Sequence, residues 1–166
     1  MPHVANPRRG KAVPLNYKKI LLANDFSHAS ESAMALARFL YESCGSELDL
    51  VHVFNPNAFE IPMPYHFPAA GAAWTGEHLL RLREQGEKAL KQLSETIPGV
   101  RAHFLEGRPG PTICEFAEKH GNDLIILGSH GYGGLDRLFL GSVALYVSCH
   151  APCTVMTVKP KDREEA

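Results

Sequence analysis

No apolar run in the chain approaches the ~20 residues of a membrane span. Its opening, "MPHVANPRRGKAVPLNY", also lacks the apolar stretch of about 7–15 residues that marks a secretory signal. From these absences we expect a cytoplasmic protein in which residues 1–16 form a flexible leader. A dominant charge is missing too. The formal net charge is −1, so no global field draws nucleic acid or an anionic membrane. Cysteine is scarce: Cys44, Cys114, Cys149 and Cys153 form no disulfide framework and are expected as buried free thiols in a reducing compartment. Cys149, His150 and Cys153 lie close in sequence, but their spacing is not a usual zinc pattern and has no second half elsewhere.

Two familiar phosphate-binding signatures are also absent. No lysine follows a glycine at the P-loop spacing. Counted from Gly131, the last glycine of the dinucleotide fingerprint is replaced by Asp136. Any nucleotide site must therefore be of another kind.

What the chain does contain is an alternation of two apolar patterns. "YKKILLAND" is a buried strand ending in polar residues, and Ala33, Leu36, Ala37 and Leu40 then mark one face of a helix that Gly45 stops. "SELDLVHVF" is a second strand. A helical stripe follows from about Thr75 to Thr96, then the period-two segment "VRAHFLEG" and a short helix from Pro109 to His120, with proline near its start and Gly121 past its end. "NDLIILG" is apolar enough to be covered on both faces. A last helix spans about Gly141 to His150, and "CTVMTVK" closes the chain as a fifth strand. The order β-α-β-α-β-α-β-α-β predicts an α/β fold, an open parallel sheet with helices on both faces and right-handed connections. Ligands in such sheets bind beyond the carboxyl ends of strands where the winding reverses. The ends of the first and fourth strands, "AND" and "GSHG", are the places to look.

Length limits the chain of 166 residues to one domain, expected over 17–160 with a short tail at 161–166. Residues 55–74 form a long connection with four prolines, either a lid over a ligand or an insertion packed on the surface.

The stretch "GSHGYGGLDRLFLGS" (128–142) carries five glycines. Gly128 closes the fourth strand and Gly141-Ser142 opens the last helix, whose first-turn N–H groups lack intrahelical partners and lie at a positive dipole end. Two readings stand side by side. Either phosphates approach the backbone there, or the glycines only turn the chain and Ser142 only caps the helix.

Gly128-Ser-His-Gly131, nine residues, then Gly141-Ser142 resembles the G-x2-G-x9-G-[S/T] motif of the universal stress protein family in its ATP-binding branch. "ILLANDFSHASESAMALA", "LDLVHVF", "GRPGPTICEFAEKHGNDLIILGSHG" and "LGSVALYVSCHAPCTVMTVK" resemble its successive elements over roughly Tyr17 to Lys159. The resemblance implies a five-stranded sheet of order 3-2-1-4-5, Rossmann-like and similar to the adenine nucleotide alpha hydrolases. It assigns the phosphates to Gly131, Gly141, Ser142 and Val143, and the ribose and α-phosphate to Gly128 and His130. Adenine falls to Ala23, Asn24 and Asp25, with a main-chain edge near Leu48. Asn24 stands where the family often has another residue between Pro or Val and the Asp, adding an amide near the base. The implied ligand is ATP, or AMP, with Mg²⁺ or Mn²⁺ held through the phosphates. The implied assembly is a homodimer pairing Thr154 to Val158 of the edge strand across a two-fold axis.

The residues themselves leave alternatives. Asp25 is a nucleotide contact or the cap of the following turn, and His130 a binding group or an acid–base catalyst. Arg137 either neutralises phosphate or is solvated. Tyr132, Leu138 and Phe139 read as loop anchors, His52 as a satisfied interior histidine, and Cys153 as a small core residue. The expected function is a nucleotide-dependent regulatory module with at most slow hydrolysis, since no base, lysine or arginine finger is evident. The alternatives are a nucleotide-free interaction protein, a phosphotransferase using the same site, and, more remotely, a flavodoxin-like FMN carrier.

Overall fold

In the computed structural model residues 17–59, 76–130 and 140–160 are described. The expected leader, most of the proline-rich connection and the tail lie outside the described residues. So do Gly131, Tyr132, Asp136, Arg137, Leu138 and Phe139.

Five short strands carry the buried apolar runs: β1 (Lys19–Ala23), β2 (Glu47–Phe54), β3 (Arg101–Glu106), β4 (Leu124–Gly128) and β5 (Thr154–Val158). They form one sheet of order β3-β2-β1-β4-β5, every pairing parallel. The helices between them are α1 (His28–Cys44), α2 (Gly76–Glu95), α3 (Pro109–His120) and α4 (Ser142–His150). Strand alternation divides the core in two. Ile20, Leu22, Leu48 and Leu50 face Ala33 and Ala37 of α1 and Leu90 of α2. Leu21, Val51, Ile125 and Leu127 face Phe116 and Ala117 of α3 and Val147 of α4. Winding therefore reverses between the central strand β1 and its neighbour β4.

Local chemistry sets the helix ends. Ser27 caps α1 by accepting a hydrogen bond from the Ser30 N–H at 3.3 Å, and Gly45 leaves it in the left-handed region at φ 65°. Pro109 starts α3, and Gly121 ends it at φ 66° with its N–H returned to the last turn. Gly110 lets α3 meet α4 closely, because a Cβ there would fall 2.7 Å from Cδ1 of Tyr146.

The amino-terminal edge of the sheet is held by charge. Asp49 of β2, 1% exposed, accepts from Arg101 Nε at 2.9 Å, His103 Nε2 at 3.0 Å and Asn122 Nδ2 at 3.0 Å. Asp123 accepts from the N–H groups of Lys18 and Lys19 at 2.8 and 3.0 Å, tying the start of β4 to the start of β1.

All four cysteines are free thiols. Cys44, Cys114 and Cys153 are partly covered, and Cys114 and Cys153 pack against the α3–α4 side of the core. Cys149 departs from the expectation of burial. It falls on the solvent face of α4, opposite Ala144 and Val147.

Burial alone would raise the Asp49 carboxyl, but hydrogen bonds from Arg101, Asn122 and His103, with the guanidinium charge, bring it from 3.8 down to about 2. A carboxyl depressed in the folded state contributes fully above its unfolded value, and that contribution is lost as pH falls through the folded one. Between about pH 5 and about pH 2 the native chain is expected to lose about 2 kcal/mol more stability than Asp49→Asn. Urea unfolding midpoints across that range measure the difference.

Candidate functional site

At the carboxyl ends of β1 and β4 the chain leaves the sheet toward opposite faces, and the gap between the two departures is a cavity of about 430 Å³. That size lies within the ~300–1,000 Å³ typical of small-molecule sites. Its apolar lining comes from Val51 and Val53 of β2, Leu127 of β4, Ile113 of α3 and Ala144 of α4. Its polar lining comes from Asn24, Asp25, Ser30, Ser129, His130 and Ser142. No lysine or arginine is among the described lining residues.

The β1–α1 turn is built by its own side chains. Asn24 Oδ1 accepts the Phe26 N–H at 2.8 Å. Asp25 Oδ1 accepts the Ser27 N–H at 3.0 Å and the Ser27 hydroxyl at 2.6 Å, and also takes the Ser30 hydroxyl. Asp25 thus does perform the capping role that its position suggests, while its residue remains exposed on the cavity rim. The turn requires Phe26 to adopt φ 64°, a left-handed conformation rare for an aromatic residue.

The opposite wall is the end of β4 and the start of α4. Gly141 N–H donates to Ser129 O at 2.8 Å, which joins the end of β4 to the start of α4. Gly141 is the N-cap of α4, with extended backbone and no side-chain cap. The N–H groups of Ser142, Val143 and Ala144 therefore sit in a first turn that supplies them no helical acceptor, beside the cavity. The Ser129 hydroxyl and His130 Nδ1 are 2.8 Å apart. His130 Nε2 is buried and has no hydrogen-bond partner among the described residues.

Of the residues expected from sequence, Ala23, Asn24, Asp25, Gly128, His130, Gly141, Ser142 and Val143 come together around this one cavity, and Gly131 lies outside the described residues. Leu48 does not join them, and that expectation is corrected. It pairs with Ile20 near the start of β2 and is 1% exposed in the core facing α1 and α2. The cavity lies at the other end of the strand, where Val51 and Val53 project to the α3–α4 side. Counting β2 forward to its carboxyl end would have found both valines. Ser30, Ser129, Pro109 and Ile113 also line the cavity. Only the start of α3, "RPGPTI", carried a sequence signal for the last two.

The chain matches the universal stress protein family model over residues 16–159. A universal stress protein of Methanocaldococcus jannaschii is 36% identical over 152 residues, covering 89% of this chain and 85% of that protein. Among solved structures, universal stress protein UspA from Lactobacillus plantarum superposes with a TM-score of 0.70 at 28% identity, covering 86% of this chain and 98% of that one. An Arabidopsis thaliana protein of the family, with AMP bound, shares the fold at a TM-score of 0.55 and 18% identity, covering 90% of this chain and 96% of that one.

Gly128 has a role of its own in this geometry. A Cβ there would lie 2.9 Å from Ala29 Cβ and 3.0 Å from both Ala29 C and Ser30 N, so the first turn of α1 would have to move. Gly128→Ala is expected to cost about 1–3 kcal/mol by overpacking, measured by chemical denaturation. Gly45→Ala meets no neighbouring atom and tests only the left-handed backbone.

Proposed function

This chain belongs to the universal stress protein family, and we propose that it binds an adenine nucleotide, ATP or AMP, in the cavity between β1 and β4. The observation that carries the proposal is the start of α4. A glycine N-cap without a side chain leaves first-turn N–H groups beside a cavity of ligand size, the arrangement that holds phosphate in other α/β sheets. Gly141, Ser142 and Val143 hold the phosphates, with Gly131 contributing from the adjoining loop. Gly128 and His130 lie along the ribose and α-phosphate, and the unpartnered His130 Nε2 finds its hydrogen-bond partner on the ligand. Adenine takes the end formed by Ala23, Asn24 and Asp25, against Val51 and Val53.

Among the described residues no group of three His, Cys, Asp or Glu side chains is placed to hold a metal. A Mg²⁺ or Mn²⁺ ion therefore takes its ligands from the phosphates, and neutralises charge that no described lysine or arginine meets. The same inventory favours binding over phosphoryl transfer. Transfer needs a metal-holding carboxylate and a positioned base; the one carboxylate among the described lining residues, Asp25, has its Oδ1 engaged in the β1–α1 turn. The output of such a site is a population shift between states of different nucleotide affinity. AMP in the Arabidopsis thaliana protein supports the ligand class by analogy of fold.

We also propose that Thr154–Val158 pairs with a second copy of the chain in a cytoplasmic homodimer. β5 is an edge of the sheet, and edges of this kind are normally covered.

Calorimetric titration of nucleotide-stripped protein with ATP and Mg²⁺ is expected to show binding. A folded Gly141→Val/Ser142→Ala variant is expected to bind at least about tenfold more weakly. A stripped, folded native chain that binds neither ATP nor AMP overturns the proposal. For the assembly, sedimentation is expected to report two copies of the 18.2 kDa chain. Lysines at the exposed edge positions, in Thr154→Lys/Thr157→Lys, should shift it toward monomer by placing like charges across the shared strand.

A further inference from the structure

The residue between Val51 and Val53 never touches the cavity. Strand alternation sends His52 to the opposite face of the sheet, where its ring meets Phe26 at a centroid distance of 4.5 Å and Phe104 at 5.5 Å. Behind it, α2 approaches through Gly86, whose added Cβ would lie 3.1 Å from Phe104 and 3.7 Å from His52 Nε2. His52 Nδ1 is 2.8 Å from the Asn24 carbonyl oxygen. A carbonyl only accepts, so Nδ1 carries the proton and donates it.

This contact differs in kind from the others in the β1–α1 turn. The Asn24 and Asp25 side chains bond within their own turn, and Ser27 adds to them a longer bond to the His130 carbonyl at 3.4 Å. Asn24 N–H donates to Val51 O at 2.9 Å, which continues the strand ladder. His52 supplies the side-chain bond that reaches the turn from another strand, and its ring backs the one residue in the turn with a costly backbone. A non-glycine residue in a sparsely populated region is strained and persists only where its surroundings over-determine it.

We propose that His52 is a positioning residue for the adenine end of the cavity, its Nδ1–H fixing the Asn24 carbonyl and its ring bracing Phe26 so that Asn24 and Asp25 are held at the rim. The inference rests on the nucleotide reading above and adds a residue that binds nothing itself. The neutral ring is the working form. Burial lowers the His52 pKa, opposed by the Asn24 hydrogen bond and the Asp25 charge. Asp25 is the charged group that acts on the ring. On the other elements packed against it, Arg83 and Glu87 of α2 and Glu106 of β3 pair with one another. Charging the ring in a site built for its neutral form is expected to loosen the turn as pH falls below the ordinary histidine value.

The test uses the full chain, stripped of nucleotide, titrated with two probes: adenosine, which carries no titrating phosphate, and inorganic triphosphate with Mg²⁺. His52→Phe keeps a ring and loses the donor, and His52→Asn keeps a donor near the Nδ1 position and loses the ring. His52→Phe is expected to weaken adenosine about tenfold and to leave triphosphate within about twofold. His52→Asn should retain more adenosine affinity than His52→Phe. Native adenosine affinity should fall on acidification below the ordinary histidine value more steeply than that of His52→Asn. His130 and Asp25 are present in both proteins, so the difference between the two profiles belongs to His52. Equal losses for both probes, adenosine binding by His52→Phe at the native level, or superimposable pH profiles each overturn the inference. If His52→Phe does not fold, the comparison of native and His52→Asn profiles decides alone. Failure of the native chain to bind either probe is a separate result, which removes the nucleotide reading and this inference with it.

Discussion

The close approach of α1 to the end of β4 is the constraint on which the rest of the site depends. Gly128 leaves no room for even one carbon between itself and the backbone of Ala29 and Ser30. That contact brings the β1–α1 turn beside the β4 end, so Asp25 and His130, more than a hundred residues apart in the chain, line the same cavity. The pairing of Ala23 with Leu127 brings the two strand ends level. Once they are level, the opposite directions of α1 and α4 open the space between them. Neither turn makes a site by itself. The cavity is a property of their separation, and a glycine with no space for a side chain sets it.

Two kinds of chemistry then divide the cavity. The β1–α1 turn spends most of its polar side chains on itself, since Asp25, Ser27 and Ser30 are joined by hydrogen bonds and Asn24 accepts the Phe26 N–H, with one longer bond from Ser27 to the His130 carbonyl. The start of α4 does the reverse, with a cap residue that has no side chain and leaves the backbone to face outward. The proposed nucleotide would set its planar end against the apolar lining of Val51, Val53 and Ile113 and its charged end against the first-turn N–H groups of α4.

Much of this was legible in the sequence, for definite reasons. Strands and helices announced themselves by period, and Gly45, Pro109 and Gly121 marked helix ends through backbone preferences that hold in any context. The strand order came from a family resemblance, and the observed sheet has it. What failed was distance along a strand. Leu48 and Val53 share one apolar run, and its composition does not separate them; the direction of the strand does, because the carboxyl end of a parallel strand faces the cavity. Gly128 was visible as a glycine, but its contact with α1 was not, because close packing between distant segments leaves no local trace. His52 was expected as a satisfied interior histidine, and it does have a partner. That the partner is the Asn24 carbonyl depends on the sheet bringing β1 and β2 side by side.

The Asp49 network sits toward the amino-terminal ends of the same strands, two residues before the Val51 that lines the cavity. It bonds β2 to β3 through Arg101 and His103, and to the α3–β4 turn through Asn122. None of the four residues in this network lines the cavity. The charges that join β2, β3 and the α3–β4 turn and the groups that surround the mouth are separate sets, so a substitution in one leaves the hydrogen bonds of the other in place.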